Sequence, residues 1–220
     1  MNAGRESDDE NAGAESDDNP RPGVFEVFAA AAAKHRDRIT QVGAVVFAVM
    51  VLSAPDLWFE DVLLALGFDL FCLVLVMFGT LGRLWCAAYA SPQKEPKLAT
   101  EGPYSVVRNP DYWFTLAGAA GVGLAAEKLG CVLVTALFQF GFYPLTILGG
   151  EIEKRKKCGD AFNNYAAKTP RFLPKFALFR ESETHTISAK SHRRGLIRAF
   201  SLVPAFVLVL LVKFLQREWS

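Results

Sequence analysis

Five apolar runs, residues 39–58, 62–88, 113–126, 129–148 and 196–214, are what most limits the fold of this chain. A helix needs about 20 apolar residues to cross the roughly 30 Å hydrocarbon core of a bilayer. Four runs reach or approach that length, and the third does so if Asp111 and Tyr112 sit at the interface. Open strands cannot span lipid, because their backbone groups would go unpaired. The chain is therefore predicted to be all-α: a polytopic integral membrane helical bundle with about five transmembrane helices. Its 51% hydrophobic content is gathered into these runs rather than spread as in a soluble domain.

Residues 1–23 are rich in Asp, Glu, Asn, Gly and Ser and nearly free of apolar side chains, so they cannot bury enough surface to order themselves. Three segments follow: a disordered acidic tail at 1–23, a membrane domain at 24–180, and a basic linker with the last transmembrane helix at 181–220. The first apolar run begins too deep, with the wrong flanks, for a cleaved signal peptide. Basic residues set the orientation: Lys34, Arg36 and Arg38 before the first run, Lys94, Lys97 and Arg108 after the second, and Lys154, Arg155, Lys156 and Lys157 after the fourth. The positive-inside tendency then gives a cytoplasmic N-terminus, five crossings and a far-side C-terminus. A net charge of +1 points to no charged partner. Cys72, Cys86, Cys131 and Cys158 show neither metal-ligand nor disulfide spacing.

Two polar segments, 101–112 and 151–174, fall on the cytoplasmic side, where a soluble cofactor can meet a lipid-soluble molecule. In the first, Asn109 suits a helix N-cap, Pro110 the first helical position, and Asp111 the positive end of the helix dipole. A helix start of this kind offers unpaired N–H groups to a carboxylate or phosphate. Arg108 adds a forked cation that can grip the same group, and Tyr104 and Tyr112 offer aromatic faces to a cation. A ligand carrying both a carboxylate and a cation suits this place. The second segment starts at Glu151 as a charged helical extension. Gly159 can bend it, Phe162 and Tyr165 share a face three residues apart, and Thr169-Pro170 ends it. Its Lys/Arg run suits anionic headgroups. Asp69, inside the second apolar run, is expected to find a hydrogen bond on a neighbouring helix. Arg83 and Trp85 read as a snorkelling cation and an interface anchor. Small residues at four-residue spacing, Ala117/Gly121 and Ala119/Gly123, mark a helix-packing face.

Taken in order, Gly79-Thr-Leu-Gly-Arg-Leu-Trp85, Leu98-Ala-Thr-Glu-Gly-Pro-Tyr-Ser-Val-Val-Arg-Asn-Pro-Asp-Tyr112 and Glu151…Gly159…Phe162…Tyr165…Thr-Pro-Arg-Phe-Leu-Pro174 resemble the isoprenylcysteine carboxyl methyltransferase family. That family includes phospholipid N-methyltransferases and membrane thiol methyltransferases, and the resemblance covers residues 75–175. It implies S-adenosyl-L-methionine in a cytoplasmic pocket formed by Lys97, Leu98, Gly102, Tyr104, Asn109, Pro110, Tyr112 and Glu151. It implies Arg108 and Glu151 as catalytic groups, Tyr165 and Arg171 against the acceptor, and an acceptor entering from the bilayer between helices. The chain departs from the family pattern at several positions. Asn109 stands where His is frequent, Phe114 where a glycine is usual, and Gly150-Glu151 in place of a Glu-Glu pair. Thr146 replaces an arginine linked to prenylcysteine, and Lys154 replaces a leucine. These departures argue against prenylcysteine as the acceptor.

The resemblance thus implies an integral-membrane, S-adenosylmethionine-dependent methyltransferase acting on a lipid or other apolar acceptor through a carboxylate, amine or thiol. No metal and no nucleic acid are implied as partners. The protein would lie in a bacterial inner membrane or the endoplasmic reticulum, with its active site facing the cytoplasm. An amine acceptor must be neutral, and Glu151 is the nearby carboxylate to take its proton. An NADPH-dependent sterol or isoprenoid reductase resembles the chain in the same two segments. Such reductases carry an acidic residue where Thr115 stands and favour Trp where Phe162 stands. A degenerate, non-catalytic member acting as a membrane adaptor is the reading that the reduced glutamate pair favours.

Overall fold

The computed structural model describes residues 23–53, 58–90, 98–181 and 189–218; residues 1–22 of the acidic tail expected at 1–23, and Lys97, lie outside the described residues. Among those residues every regular element is a helix. The order is α1 (Val24–Lys34), α2 (Arg36–Leu52), α3 (Val62–Tyr89), α4 (Pro103–Val106), α5 (Pro110–Ala125) and α6 (Leu129–Ala136). A π-helical segment (Leu137–Phe142), α7 (Tyr143–Lys168), a 3-10 turn (Phe176–Leu178), α8 (Ala189–Phe200) and α9 (Leu202–Glu218) follow.

Among the described residues three helices are long and apolar enough to cross a membrane: α3 with 28 residues, the continuous helix 129–168 with 40, and 193–218 with 26. The expected count of about five is therefore not reached by this measure. α2 has 17 residues and α5 has 16. At about 1.5 Å per residue they span roughly 26 and 24 Å, short of the hydrocarbon core. Polar groups stop both helices early. The Lys128 ammonium donates to the Met50, Val51 and Ser53 carbonyls at the end of α2, at 3.3, 2.8 and 2.6 Å. α5 gives way to a turn in which Glu127 takes a positive φ of 50°.

That turn belongs to a buried charge network at the end of the bundle away from the two polar segments. Glu127, with a fully buried side chain, accepts from Lys213 Nζ at 2.9 Å and lies 3.6 Å from Arg217. It also accepts from the Trp58 backbone N–H at 3.2 Å. Lys213 bonds to Asp69 as well, so Asp69 has its partner on α9. Beside this network, Val51, Cys72, Val76, Val122, Cys131, Phe206 and Val209 draw α2, α3, α5, α6 and α9 into one apolar core.

The most extensive helix contact is α3 against α5. Two glycines of α3 permit it. A Cβ on Gly79 would lie 2.6 Å from Gly118 Cα, and one on Gly82 would fall inside the ring of Phe114. The glycine missing from position 114 is thus answered by a glycine at 82 across the interface. Gly121 and Gly123, expected on a packing face, serve two neighbours: Gly121 abuts the Cys72 carbonyl and Gly123 abuts Thr135. Gly82→Ala is expected to destabilise the protein by about 1–3 kcal/mol through overpacking. Phe114→Ala in the same chain should recover most of the loss in thermal unfolding in detergent. A neutral Gly82→Ala variant would contradict the close approach.

Candidate functional site

The two polar segments fold onto each other at one end of the bundle. Gly102 has φ 57°, and a Cβ there would meet the Tyr89 ring at 2.5 Å, so this position needs glycine. The backbone bond from Arg108 N–H to Pro170 O, at 2.9 Å, joins the segments, and two more tie the first segment to the chain just after the second: Gly102 N–H to Arg180 O at 2.8 Å and Lys175 N–H to Val106 O at 3.0 Å. The bend expected at Gly159 is present, with φ 49° inside α7, and it turns Phe162 into a fully buried position.

Glu151 lies at the centre of this junction and is 5% exposed. Its carboxylate accepts from Arg108 Nη1 at 3.2 Å, Asn109 Nδ2 at 3.0 Å and Arg171 Nε at 3.0 Å, and Arg171 Nη2 lies 2.9 Å away. Asn109 therefore makes no side-chain cap on α5, contrary to expectation. Its amide instead donates a charge-assisted bond to the buried carboxylate, and this holds the side chain away from the helix end. Arg108, Glu151 and Arg171 are brought together, but they spend their charges on one another. Tyr165 donates to the Tyr104 carbonyl at 2.7 Å and fixes α7 on the first segment.

Beside this clamp lies a cavity of about 380 Å³, lined by Tyr104, Tyr112, Tyr143 and Asn109, by the carboxylate Asp111, and by four cations, Arg36, Arg83, Lys154 and Arg198. Of the residues that the resemblance implies for the cofactor, Tyr104, Asn109 and Tyr112 line this space. Gly102 and Pro110 are buried and set the backbone, and Leu98 is half-buried at the start of the segment. Tyr165 lines a separate polar cavity of about 510 Å³ with Lys168 and Arg180. Burial pushes the Tyr104 phenol well above its ordinary range, so it acts here as a neutral surface.

Arg83 is the residue that sequence reasoning misplaced. Its side chain is only 14% exposed and its Nε lies 3.7 Å from Asp111 Oδ1. That Nε is buried without a hydrogen-bond partner. A snorkelling cation would reach water; this one stops at the floor of the cavity. The pull of Asp111, two residues after Asn109, was the available signal. Arg36 and Arg198 come from elements remote in sequence, and nothing local marks them.

A second, largely apolar cavity of about 260 Å³ opens deeper in the bundle and shares Arg83 and Tyr143 with the first. Its wall includes Gln139 of the π-helical segment, a helix type that often marks functional sites. The Gln139 carbonyl accepts from the Tyr112 hydroxyl at 2.9 Å. Polar and apolar chambers thus meet at one arginine and one tyrosine.

These residues fit S-adenosyl-L-methionine. The volume lies in the usual range for small-molecule sites, about 300–1,000 Å³. Arg83 Nε, which makes no hydrogen bond, can take a carboxylate, Asp111 an ammonium, and the tyrosine faces a sulfonium.

A sequence model described as phospholipid methyltransferase matches residues 57–148. The chain is 32% identical over 167 residues to the nickel-cobalt-cadmium resistance protein NccN of Alcaligenes xylosoxydans xylosoxydans, covering 74% of this chain and 76% of that protein. It is 36% identical over 139 residues to the cobalt-zinc-cadmium resistance protein CzcN of Cupriavidus metallidurans, covering 63% of this chain and 62% of that protein. No solved structure matches.

Proposed function

The chain belongs to the phospholipid methyltransferase-like membrane family, and on that premise we propose that it is an S-adenosyl-L-methionine-dependent methyltransferase acting on a lipid or other apolar acceptor, with its pocket facing the cytoplasm. The observation that carries this reading is the meeting of a polar and an apolar chamber at Arg83 and Tyr143. Bound there, the cofactor supplies an electrophilic methyl group on a sulfonium.

The protein's own part is positioning, an effect that can be worth several kcal/mol. Arg83 and the start of α5 would hold the carboxylate of the methionine moiety, and Asp111 its ammonium. Tyr104, Tyr112 and Tyr143 would offer their faces to the sulfonium. The Glu151 clamp joins α5 to α7 and fixes the tyrosines; it is a positioning group. Glu151 is engaged in that clamp and Asp111 by the ammonium, so a carboxylate or thiolate acceptor, which needs no strong base, suits the chamber better than an amine.

Purified protein supplied with methyl-labelled S-adenosylmethionine and a lipid extract of its host should form a labelled, solvent-extractable product. Arg83→Gln should cut that product about tenfold or more, as the loss of a charge-assisted bond implies. Oxidation of NADPH in place of methyl transfer would sink the proposal in favour of a reductase. The relatives named for metal resistance suggest a whole-cell readout: growth of a deletion strain under nickel, cobalt, zinc or cadmium.

A further inference from the structure

The polar chamber holds more positive charge than a sulfonium cofactor can use. Arg36, Arg83, Lys154 and Arg198 reach it from α2, α3, α7 and α8, and Asp111 is the one carboxylate that lines it among the described residues. Arg83 is answered by Asp111, at 3.7 Å. Arg36 is answered at the rim by Asp37, at 3.5 Å. Among the described residues no carboxylate lies within 4.0 Å of Lys154 or Arg198. The nearby Glu151 is already held by Arg108 and Arg171. S-adenosylmethionine brings one carboxylate against an ammonium and a sulfonium, so it adds positive charge rather than cancelling it. Like charges gathered in a partly enclosed site are unfavourable unless an anion joins them.

We infer that Lys154 and Arg198, with Arg36 at the rim, form a subsite for the phosphomonoester headgroup of an amphiphilic acceptor. This rests on the methyltransferase reading above. A phosphomonoester carries about −1.5 to −2 charges at neutral pH and three strong acceptor oxygens, which suits two cations that have no carboxylate within ion-pair distance among the described residues. Gly150 lines the chamber, and a Cβ there would meet nothing within 4 Å, so the wall beside Lys154 is open. The adjoining apolar cavity gives the acyl part of the same molecule its place. A zwitterionic ethanolamine headgroup would instead bring its ammonium among cations, so the acceptor is net anionic.

The test uses full-length protein in nanodiscs of phosphatidylcholine. Dihexanoyl phosphatidic acid, dihexanoyl phosphatidylethanolamine, inorganic phosphate and S-adenosylhomocysteine are titrated into the wild type and into Lys154→Gln/Arg198→Gln. Phosphatidic acid should bind the wild type, and the double variant should bind it about tenfold or more weakly. Phosphatidylethanolamine should bind the wild type about tenfold less tightly than phosphatidic acid, and S-adenosylhomocysteine should bind both proteins within about twofold. The charge-preserving pair Lys154→Arg/Arg198→Lys should keep phosphatidic acid binding, which separates lost charge from lost fold. Unchanged phosphatidic acid binding in the Gln pair overturns the inference, as does equal affinity for the ethanolamine lipid. Inorganic phosphate binding as tightly as the lipid overturns the headgroup assignment. Loss of S-adenosylhomocysteine binding from the wild type removes the methyltransferase reading, while charge-dependent phosphatidic acid binding would still establish the subsite.

Discussion

Glu151→Ala should cost the protein about 3–5 kcal/mol and abolish cofactor binding, because it strands two cations that, among the described residues, this carboxylate alone answers. Arg108 is 14% exposed and Glu151 6% in their side chains, so water can relieve little of the unpaired charge. Arg171, 37% exposed, is better placed to turn outward. Asn109 loses its acceptor at the same moment, and with it the start of α5 loses its tether to α7. Glu151→Gln keeps the volume and one acceptor oxygen, so it should lie between wild type and Ala. The triple variant Arg108→Met/Glu151→Leu/Arg171→Met should unfold at a higher temperature than Glu151→Ala, since exchanging a whole buried ion cluster for apolar groups is often neutral or stabilising. Thermal unfolding in detergent reads the stability, and titration with S-adenosylhomocysteine reads the pocket. Wild-type unfolding of Glu151→Ala would show that the clamp does not hold the two segments together.

Lys213→Met should have an effect of similar size at the opposite end of the bundle. It leaves Asp69 and the fully buried Glu127 without the ammonium that answers both. Arg217, 3.6 Å from Glu127, answers only one of them. An uncompensated carboxylate among apolar helices costs about 3–5 kcal/mol when its partner is removed. The variant should give a reduced yield in the membrane fraction and a lower unfolding temperature. Neutralising the partners as well, with Asp69→Asn and Glu127→Gln, should restore much of both. If the single variant folds as well as the wild type, α9 is held by its apolar contacts through Phe206 and Val209, and the ion network is dispensable.

The helical class of this protein was legible in its apolar runs, because length and composition govern what lipid tolerates. Helix ends were not. The run 39–58 gave no hint that Lys128 and Gln216 would close α2 from across the bundle, since both caps come from distant sequence. In the site, the meeting of 101–112 with 151–174 was foreseeable from the order of the motifs. Tyr104, Asn109 and Tyr112 line the chamber that those segments frame. The orientation of charged side chains was not foreseeable. Glu151 and Arg108 carry complementary charges 43 residues apart, and only the fold shows that they turn to each other rather than to the cavity. Arg83 was hidden for the opposite reason. A cation near a helix end looks like an anchor until Asp111 is seen beside it.

The central claim is that the chamber meeting the apolar cavity at Arg83 and Tyr143 holds a sulfonium donor. Calorimetric titration of S-adenosylhomocysteine into the purified protein and into Arg83→Gln addresses it most directly. The account predicts one saturable site per chain in the wild type, and an affinity about tenfold or more lower in the variant. No saturable binding, or equal affinity in the two proteins, would contradict it.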